Sequence, residues 1–307
     1  MAPGTTDRVA PGPSGLRITR ALARRFDGRS ETSLDPDLRV FVSDLVRSHG
    51  LPLREDLLRE GVGHSYEELA AGLLGEALAE DEPVDLLILA FDTPDVRPGA
   101  PSSLALSRSV PGAPLAFAVC DQGTAAAFTA LRLAADHHRT GACRRAVVVL
   151  AEQTALHYVP SAPVALPERH AVVVLVCEEA PGPGLTVRQL TGAPAPEQAV
   201  RAEAAALGPD VEVVPDDDLD AEVVPDDGLD VEAVPDYGPD AEAVSDDLDA
   251  EAVPDDGLAV RRPPAQPFTG LWATLAEHLP RWRAEERPVL LAGYDRRLGV
   301  LSTLTLP

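Results

Sequence analysis

The residue types that could carry covalent chemistry stand together between a predicted strand and a predicted helix. Residues 115–119 form an apolar run, the sequence CDQGT follows at 120–124, and a helix of small residues begins at Thr124. The unpaired N–H groups at a helix N-terminus favour an anion or a thiolate. A nucleophile at this junction, with Cys120 as the nearest thiol, could form a covalent intermediate.

The histidines offer one further candidate site residue. His157 follows a predicted strand in the sequence QTALHYVP, on a loop from which it could reach a pocket. His137 and His138 are adjacent in sequence, so on a helix they point about 100° apart and cannot bind one metal ion together. The three cysteines show no metal-binding spacing. We therefore predict no metal and no bound cofactor.

The elements around the junction alternate between strand and helix. Apolar runs at 84–91, 115–119 and 146–150 are separated by helix-like stretches, which is typical of a parallel α/β layer. Strands at 172–177 and 185–190 are expected to close this layer.

Three helices are predicted upstream, at 16–26, 36–49 and 65–79. Asp35 and Pro36 give the second helix a clear start. Ser65 and Glu68 form a capping box at the start of the third.

The charge of the chain is concentrated in one segment. The net charge of the 307 residues is −24, yet 20 of the 50 acidic residues lie between Asp210 and Asp256, where there is no Arg. The remainder has 30 acidic residues against 26 Arg, and the sequence contains neither Lys nor Asn. This acidity argues against a nucleic-acid partner.

Cysteine usage and hydropathy indicate the compartment. Three cysteines without a disulfide framework fit a reducing environment, and no apolar run approaches the length of a membrane span. Residues 1–15 lack the apolar core of a signal peptide. We predict a flexible N-terminus at 1–15, a cytoplasmic protein and no contact with a membrane.

The acidic segment contains an internal repeat. Val-Pro recurs at 214–215, 224–225, 234–235 and 253–254, with Val-Ser at 244–245. Frequent proline, dense carboxylates and few large apolar groups cannot bury enough surface to offset the entropy of ordering. The composition predicts a disordered linker. A calcium-binding array is disfavoured because the spacing lacks the alternating ligands of an EF-hand.

Residues 65–179 resemble the N-terminal half of the thiolase-like condensing enzymes, especially type III ketoacyl-ACP synthases. Those proteins have a strand that ends near STPD, as at 93–95 here, and a nucleophilic Cys that opens a helix of the form C-A-G-F-x-x-A-L. The sequence TAAAFTAL at 124–131 is similar to that helix. The resemblance implies an α/β thiolase-like layered fold with a complete N-terminal half.

The C-terminal tail resembles the end of the same family. A helix is predicted at 268–286 and a hairpin at 289–294 and 299–306, and the string VLLAGYDRRLG is similar to the family's VLLAGFG. Most of the family's second half would lie between Thr191 and this tail. We therefore predict a thiolase-like N-terminal half at 16–195, a disordered acidic linker at 196–262, and a C-terminal half reduced to a helix and closing hairpin at 263–307.

The resemblance implies a Cys-His-Asn or Cys-His-His site. The Cys takes the acyl group, and the second half supplies His and Asn, which stabilise the enolate formed when a malonyl group loses carbon dioxide. This chain has no Asn, and no His lies between His170 and His278. The groups needed for decarboxylation are therefore missing.

Two registers stay open for the nucleophile position. The helix match places Thr124 there, whereas the likeness of CDQGT to the CASGT of type II enzymes places Cys120 there. Helix length favours Thr124. Asp121 would raise the pKa of a nearby thiol, and Cys120 is also explained as a small buried apolar residue. Gln122 is similar to the Gln that replaces the catalytic Cys in chain-length-factor subunits.

We predict a ketoacyl-synthase-like protein of fatty-acid or polyketide-type biosynthesis that acts as a non-condensing partner subunit, a pseudoenzyme. The resemblance implies pairing through the strand at 115–119, in a homodimer or in a heterodimer with a complete condensing enzyme. An acyl carrier protein is a candidate partner. One alternative is an active acyltransferase that uses Cys120 or Thr124 and an acyl-CoA or phosphopantetheine thioester. Another is a scaffold protein that binds through the acidic repeat.

Overall fold

A computed structural model describes residues 14–97, 101–162, 164, 166–220, 259–260 and 266–307. Within these ranges the strands are β1 (Ser14–Phe26), β2 (Leu86–Ala90), β3 (Leu115–Val119), β4 (Arg145–Glu152), β5 (His170–Pro181), β6 (Thr186–Thr191), β7 (Glu212–Pro215), β8 (Ala259–Val260), β9 (Val289–Asp295) and β10 (Val300–Leu306). The helices are α1 (Glu31–Leu34), α2 (Pro36–Ser48), α3 (Glu55–Glu60), α4 (Tyr66–Ala77), α5 (Ser102–Ser107), α6 (Ala125–Arg139), α7 (Pro196–Leu207), α8 (Asp217–Asp220) and α9 (Gly270–Ala284).

The strands form two mixed sheets that repeat one topology. Their orders are β1-β5-β4-β2-β3 and β6-β10-β9-β7-β8. In the first sheet β1, β5 and β4 pair antiparallel, and β4, β2 and β3 run parallel. In the second sheet β6, β10 and β9 pair antiparallel, and β9, β7 and β8 run parallel. The helix between the third and fourth strands is α6 in the first half and α9 in the second. The chain therefore consists of two halves with the same strand order.

Three apolar cores stack these elements into layers. The inner faces of both sheets pack against α6 and α9 in the central core. There the rings of Phe128 and Trp272 pack edge to face, with their centroids 4.9 Å apart. A second core joins the outer face of the first sheet to α4 and α5. A third joins the outer face of the second sheet to α7 and α8. Helices thus cover both faces of both sheets, as the continuous apolar strands β2 and β4 require.

The predicted layered α/β fold is therefore confirmed, but the prediction of a reduced second half is wrong. The second sheet has five strands, as the first does. Helix α7 and strand β7 lie within the predicted disordered linker at 196–262. Strand β7 forms because its residues pair with β9, and all four of them are buried. The strand predicted at 185–190 is β6, which pairs with β10 in the second sheet and does not close the first.

The helix predicted at 16–26 is the strand β1. Its Ala- and Arg-rich sequence has good helix propensity. Pairing with β5 along the whole strand overrides that propensity, and Leu16 and Ile18 enter the central core in strand alternation.

Other local predictions are confirmed by the cap contacts. The Asp35 side chain accepts a hydrogen bond from the Asp37 N–H at the start of α2, and Ser65 accepts one from the Glu68 N–H at the start of α4. The predicted C-terminal helix and hairpin are α9, β9 and β10.

Two predictions concern residues outside the described ranges. Nearly all of the predicted flexible N-terminus, residues 1–13, and the repeat at 221–258 lie outside them. Within the described part of the chain, no helix has the length and hydropathy needed to cross a membrane.

Candidate functional site

A cavity of about 290 Å³ lies where the carboxyl ends of parallel strands from the two halves meet. The first half contributes Thr124 and Phe128 from the start of α6. The second half contributes Asp216 and Asp218, which follow β7, and the segment from Gln266 to Trp272. The cavity therefore has an aromatic and aliphatic wall and carboxylates near its opening. Ligands of open α/β sheets commonly bind at such strand ends.

The turn that leads into α6 has an unusual backbone. Asp121 and Gly123 both have positive φ angles, 60° and 52°, which a residue other than glycine rarely adopts. This turn brings Thr124 to the N-cap of α6, where its side chain makes no capping hydrogen bond. Thr124 is one of the residues that line the cavity.

The carboxylate of Asp295 occupies the N-terminus of α6. Its Oδ2 accepts a hydrogen bond from the Thr124 N–H at 3.1 Å, and its Oδ1 accepts one from the Leu298 N–H at 2.8 Å. Asp295 is the last residue of β9 in the second half and is only 6% exposed. A buried carboxylate therefore occupies the Thr124 N–H, which would otherwise be free to receive an anion at the start of α6.

The same arrangement occurs with the two halves exchanged. Glu152 is the last residue of β4, and its carboxylate accepts hydrogen bonds from the Phe268 and Thr269 N–H groups, at 3.0 and 3.2 Å, and from the Thr269 hydroxyl. These groups form the N-terminus of α9, and Glu152 is 1% exposed. Each central helix is thus capped by a carboxylate from the fourth strand of the opposite half.

Solved structures with this architecture include condensing enzymes and an acyltransferase. The tetronic acid condensing enzyme AbyA1 superposes with a TM-score of 0.58 at 14% identity, over 95% of this chain and 100% of that one. The acyltransferase ChlB3 gives 0.55 at 16% identity, over 95% and 97% of the two chains. The priming β-ketosynthase of the R1128 polyketide pathway gives 0.52 at 14% identity, over 98% and 99%. This chain has the thiolase-like fold of ketosynthase III-like proteins. No family model and no curated protein sequence matches it.

The residues that line the cavity can be compared with those that the resemblance to condensing enzymes implies. The resemblance implies that a His and an Asn from the second half face the nucleophile. In the described part of the second half, the residues that line this cavity include neither type, and the polar ones among them are Asp216, Asp218 and Gln266. In the string that resembles VLLAGFG, the position of the last Gly is taken by Asp295.

Cys120 lies before this turn and is not among the residues that line the cavity. Its thiol donates a hydrogen bond to the Asp121 carboxylate at 3.3 Å. Burial and then this carboxylate raise the pKa of Cys120, so the thiolate form is disfavoured. Of the two candidate nucleophile positions, the structure therefore brings Thr124 to the cavity and leaves Cys120 outside it.

Gln122 takes part in packing between the halves. Its side-chain oxygen accepts a hydrogen bond from the Thr129 hydroxyl of α6 at 2.7 Å. The Gln189 amide of β6 donates to Thr129 at 3.1 Å and to Ser302 of β10 at 3.3 Å. This network links α6 to the second sheet.

Several carboxylates lie near Asp295. Burial raises the pKa of Asp92, and the nearby carboxylates of Asp295 and Asp121 raise it further. The Arg297 guanidinium, 3.6 Å from the Asp92 carboxylate, lowers it. Burial also raises the pKa of Asp218, which Arg296 opposes. Each of these two carboxylates has an arginine beside it, Arg297 next to Asp92 and Arg296 next to Asp218.

His157, the candidate on the loop after β4, is not among the residues that line this cavity. It is 3% exposed, its Nε2 lies 2.9 Å from the Val62 carbonyl and 3.2 Å from the Ser33 hydroxyl, and burial lowers its pKa. The ring therefore holds the segment from α1 to α3 against the loop after β4.

The structure also brings together a pair of buried imidazoles that the sequence pattern does not predict. The rings of His64 and His170 lie 4.5 Å apart, and both side chains are about 5% exposed. Burial, and then the neighbouring His64, lower the pKa of His170 from 6.5 to about 4. The folded protein therefore holds His170 neutral at pH values where an unfolded chain would protonate it.

This difference predicts a loss of stability in acid. Between pH 6.5 and about 4 the unfolded state binds the additional proton, so the free energy of unfolding falls as the pH is lowered and is unaffected by His170 above that range. We expect the contribution to total roughly 3 kcal/mol. Urea unfolding of wild type and His170→Gln at pH 7.5 and 4.5 measures it. The variant should show the shallower pH dependence, and equal slopes would contradict the assignment.

Gly123 is required by the approach of Asp295. A Cβ at Gly123 would lie 1.5 Å from the Asp295 Oδ2, and the positive φ adds backbone strain. Gly141 is a matched control because it also has a positive φ, 76°, but faces open space. We expect Gly141→Ala to lower the free energy of unfolding by about 1 kcal/mol and Gly123→Ala by roughly 2 kcal/mol more. If a denaturant titration gave equal losses of the free energy of unfolding for Gly123→Ala and Gly141→Ala, the alanine methyl group at position 123 would not compete with the Asp295 side chain for space.

Proposed function

We propose that this protein is a non-condensing subunit of fatty-acid or polyketide-type biosynthesis, with the fold of a ketosynthase and without its chemistry. The observation that carries the proposal is the Asp295 carboxylate hydrogen-bonded to the Thr124 N–H. Acyl transfer needs N–H donors aimed at the oxygen of the reacting thioester, where negative charge develops. Here the donor at the start of α6 already has an anionic partner from the protein itself.

The inventory of side chains supports the same conclusion. Decarboxylation of a malonyl group requires donors that stabilise an enolate, and the described residues that line the cavity include no His and no Asn. Among the described residues, the Thr124 hydroxyl makes no hydrogen bond to a base. An unassisted hydroxyl is a weak nucleophile at neutral pH.

An acyltransferase is the second candidate function. Thr124 lines a cavity with an aromatic wall, and the acyltransferase ChlB3 has the same fold. In this reaction the Thr124 oxygen would attack the thioester carbon, a C–O bond would form, and the thiol would leave with the hydroxyl proton. No decarboxylation is needed, so the missing Asn would not exclude this activity.

The test is the mass of the intact protein after incubation with a panel of acyl-CoA and acyl-carrier thioesters. We expect no acyl adduct on the wild-type protein, and none on Cys120→Ala or Thr124→Ala. An adduct that disappears in Thr124→Ala alone would contradict the non-condensing proposal and support the acyltransferase. Loss in Cys120→Ala alone would assign the reaction to the thiol.

The partner subunit is proposed to bind at β3. This strand is the outer strand of its sheet, and its residue Leu115 is 56% exposed. Leu115 N–H and Val119 C=O bond toward β2, so in a parallel pair the backbone groups of Ala116 and Ala118 face the outer edge. An apolar strand with unpaired edge groups can extend its sheet into a second subunit.

Proline at the outer edge should prevent this pairing. We expect Ala118→Pro to convert a dimer into monomers without loss of folding, because the removed N–H does not bond to β2. Ala118→Ser keeps the N–H and is the control. Sedimentation velocity, alone and with a complete condensing enzyme, measures the assembly. A dimer that survives Ala118→Pro would show that the partner binds elsewhere.

A further inference from the structure

A second cleft, of about 420 Å³, lies at the opposite end of the sheets. Strand β9 connects the two sites, because Val289 at its start lines this cleft and Asp295 at its end caps α6. Seven residues of strand span about 20 Å. The cleft is therefore separate from the cavity beside Thr124, and its volume is within the range of small-molecule sites.

The floor of this cleft is apolar. It is formed by side chains from β1, α9, β9 and β10, and each is at most 7% exposed: Ile18, Leu279, Val289 and Leu306. An apolar chain or ring placed on this floor would lose contact with water, which favours binding.

The rim carries three guanidinium groups, from Arg17, Arg283 and Arg287, and the carboxylate of Glu286. Arg287 is paired with Glu212 at 3.2 Å and with Glu285 at 3.5 Å, so a ligand anion would meet Arg17 and Arg283. Arg17 is held by the Pro183 carbonyl and Arg283 by the Thr19 carbonyl, at 2.9 and 2.8 Å. These contacts fix both side chains and leave further N–H groups on each guanidinium for a ligand. A planar guanidinium is well matched to a carboxylate.

The wall contains a buried donor without a partner. Trp282 is 2% exposed, and its Nε1–H makes no hydrogen bond within the described part of the chain. The Nε1 atom has less than 1 Å² of exposed surface, so a ligand in the cleft would contact the apolar part of the indole ring.

We propose that this cleft binds a carboxylate that carries a medium-length apolar chain. The chain lies over Ile18, Leu279 and Val289, and the carboxylate is paired at the arginine rim. The site is independent of the proposed function of the Thr124 cavity, which it does not touch.

The two tryptophans allow the two cavities to be observed separately. Trp272 lines the Thr124 cavity and Trp282 lines this cleft, and the chain contains no other Trp. In the full-length Trp272→Phe protein, fluorescence reports on Trp282 alone. We expect octanoate to change this fluorescence in a saturable way with a Kd below about 1 mM. Equilibrium dialysis with radiolabelled octanoate on the wild-type protein should give the same Kd.

The role of the ligand's negative charge is tested with probes of the same alkyl chain and with arginine variants of the protein. 1-Octanol and octylamine have the same chain without the negative charge, and we expect each to bind at least about tenfold more weakly. Arg17→Gln with Arg283→Gln should weaken octanoate binding at least about tenfold. Absence of binding in dialysis, equal affinity for octanol, or octanoate binding unchanged by the two arginine substitutions would each overturn the proposal. A thermal melt of each variant verifies that it is folded.

Discussion

The variant Thr124→Cys with Asp295→Gly is expected to acquire an acyl group from acyl-CoA, which the wild-type protein does not. Asp295→Gly removes the carboxylate that accepts from the Thr124 N–H at 3.1 Å. The N-terminal end of α6 then lowers the pKa of a thiol at position 124. The freed N–H of residue 124 can bind the oxygen of the thioester. The thiolate attacks the carbonyl carbon, a new C–S bond forms, and coenzyme A leaves as the thiol.

The size of the effect is measured against Thr124→Cys alone. A single donor at an oxyanion is worth on the order of 100-fold in rate, and we expect the double variant to acylate faster than Thr124→Cys by about this factor. Thr124→Cys with Asp295→Asn is the matched control, because the amide keeps the shape and an acceptor oxygen and should stay slow. Equal rates for Thr124→Cys and the double variant, measured by intact mass over time, would show that Asp295 does not block the site.

A large loss of stability is expected when the carboxylate of Glu152, which caps α9, is removed. Glu152→Ala leaves the Phe268 and Thr269 N–H groups and the Thr269 hydroxyl without their acceptor in a buried position. We expect the free energy of unfolding to fall by roughly 3 kcal/mol at pH 8, with an unchanged denaturant slope. Urea titration followed by circular dichroism measures this loss.

Two substitutions give this prediction its controls. Glu152→Gln keeps one acceptor oxygen and should lose less than Glu152→Ala. Glu76→Ala removes an exposed carboxylate from a surface ion pair and should change the free energy of unfolding by under about 0.5 kcal/mol. If Glu152→Ala were no more destabilising than Glu76→Ala, the carboxylate would not support α9 as the contacts indicate.

Local signals were enough to predict most of the first half. Strands β2, β3 and β4 are continuous apolar runs, and helices α2 and α4 begin at side chains that cap them. Strand β1 was missed because its sequence favours a helix locally and only its pairing with β5 makes it a strand. Propensity is a weak prior where a tertiary contact decides the conformation.

The second half was underestimated because of the repeat. Residues 211–220 read VEVVPDDDLD and resemble the unit AEVVPDDGLD that follows them, so composition gave no reason to separate them. Contacts distant in sequence distinguish the first unit. Val213 and Val214 pair with β9, and Glu212 is buried against Arg281 and Arg287.

The candidate site was predictable only in part. The strand-turn-helix junction placed Thr124 at a helix start, and this follows from the residues at 115–131. Asp295 lies 171 residues away from Thr124 along the chain, and periodicity does not reveal such a contact. The sequence did carry one signal, since VLLAGYD has an Asp where the family string VLLAGFG has a Gly.

Release of carbon dioxide from a labelled malonyl thioester tests the central claim most directly. The wild-type protein is incubated with malonyl-CoA and with a malonyl carrier protein, beside a complete condensing enzyme as the positive control. With Asp295 bound at the start of α6, and with no His or Asn among the described residues that line the cavity, we predict no release above the buffer rate. Release that is lost in Thr124→Ala would contradict the account and show that the protein decarboxylates malonyl groups at this cavity.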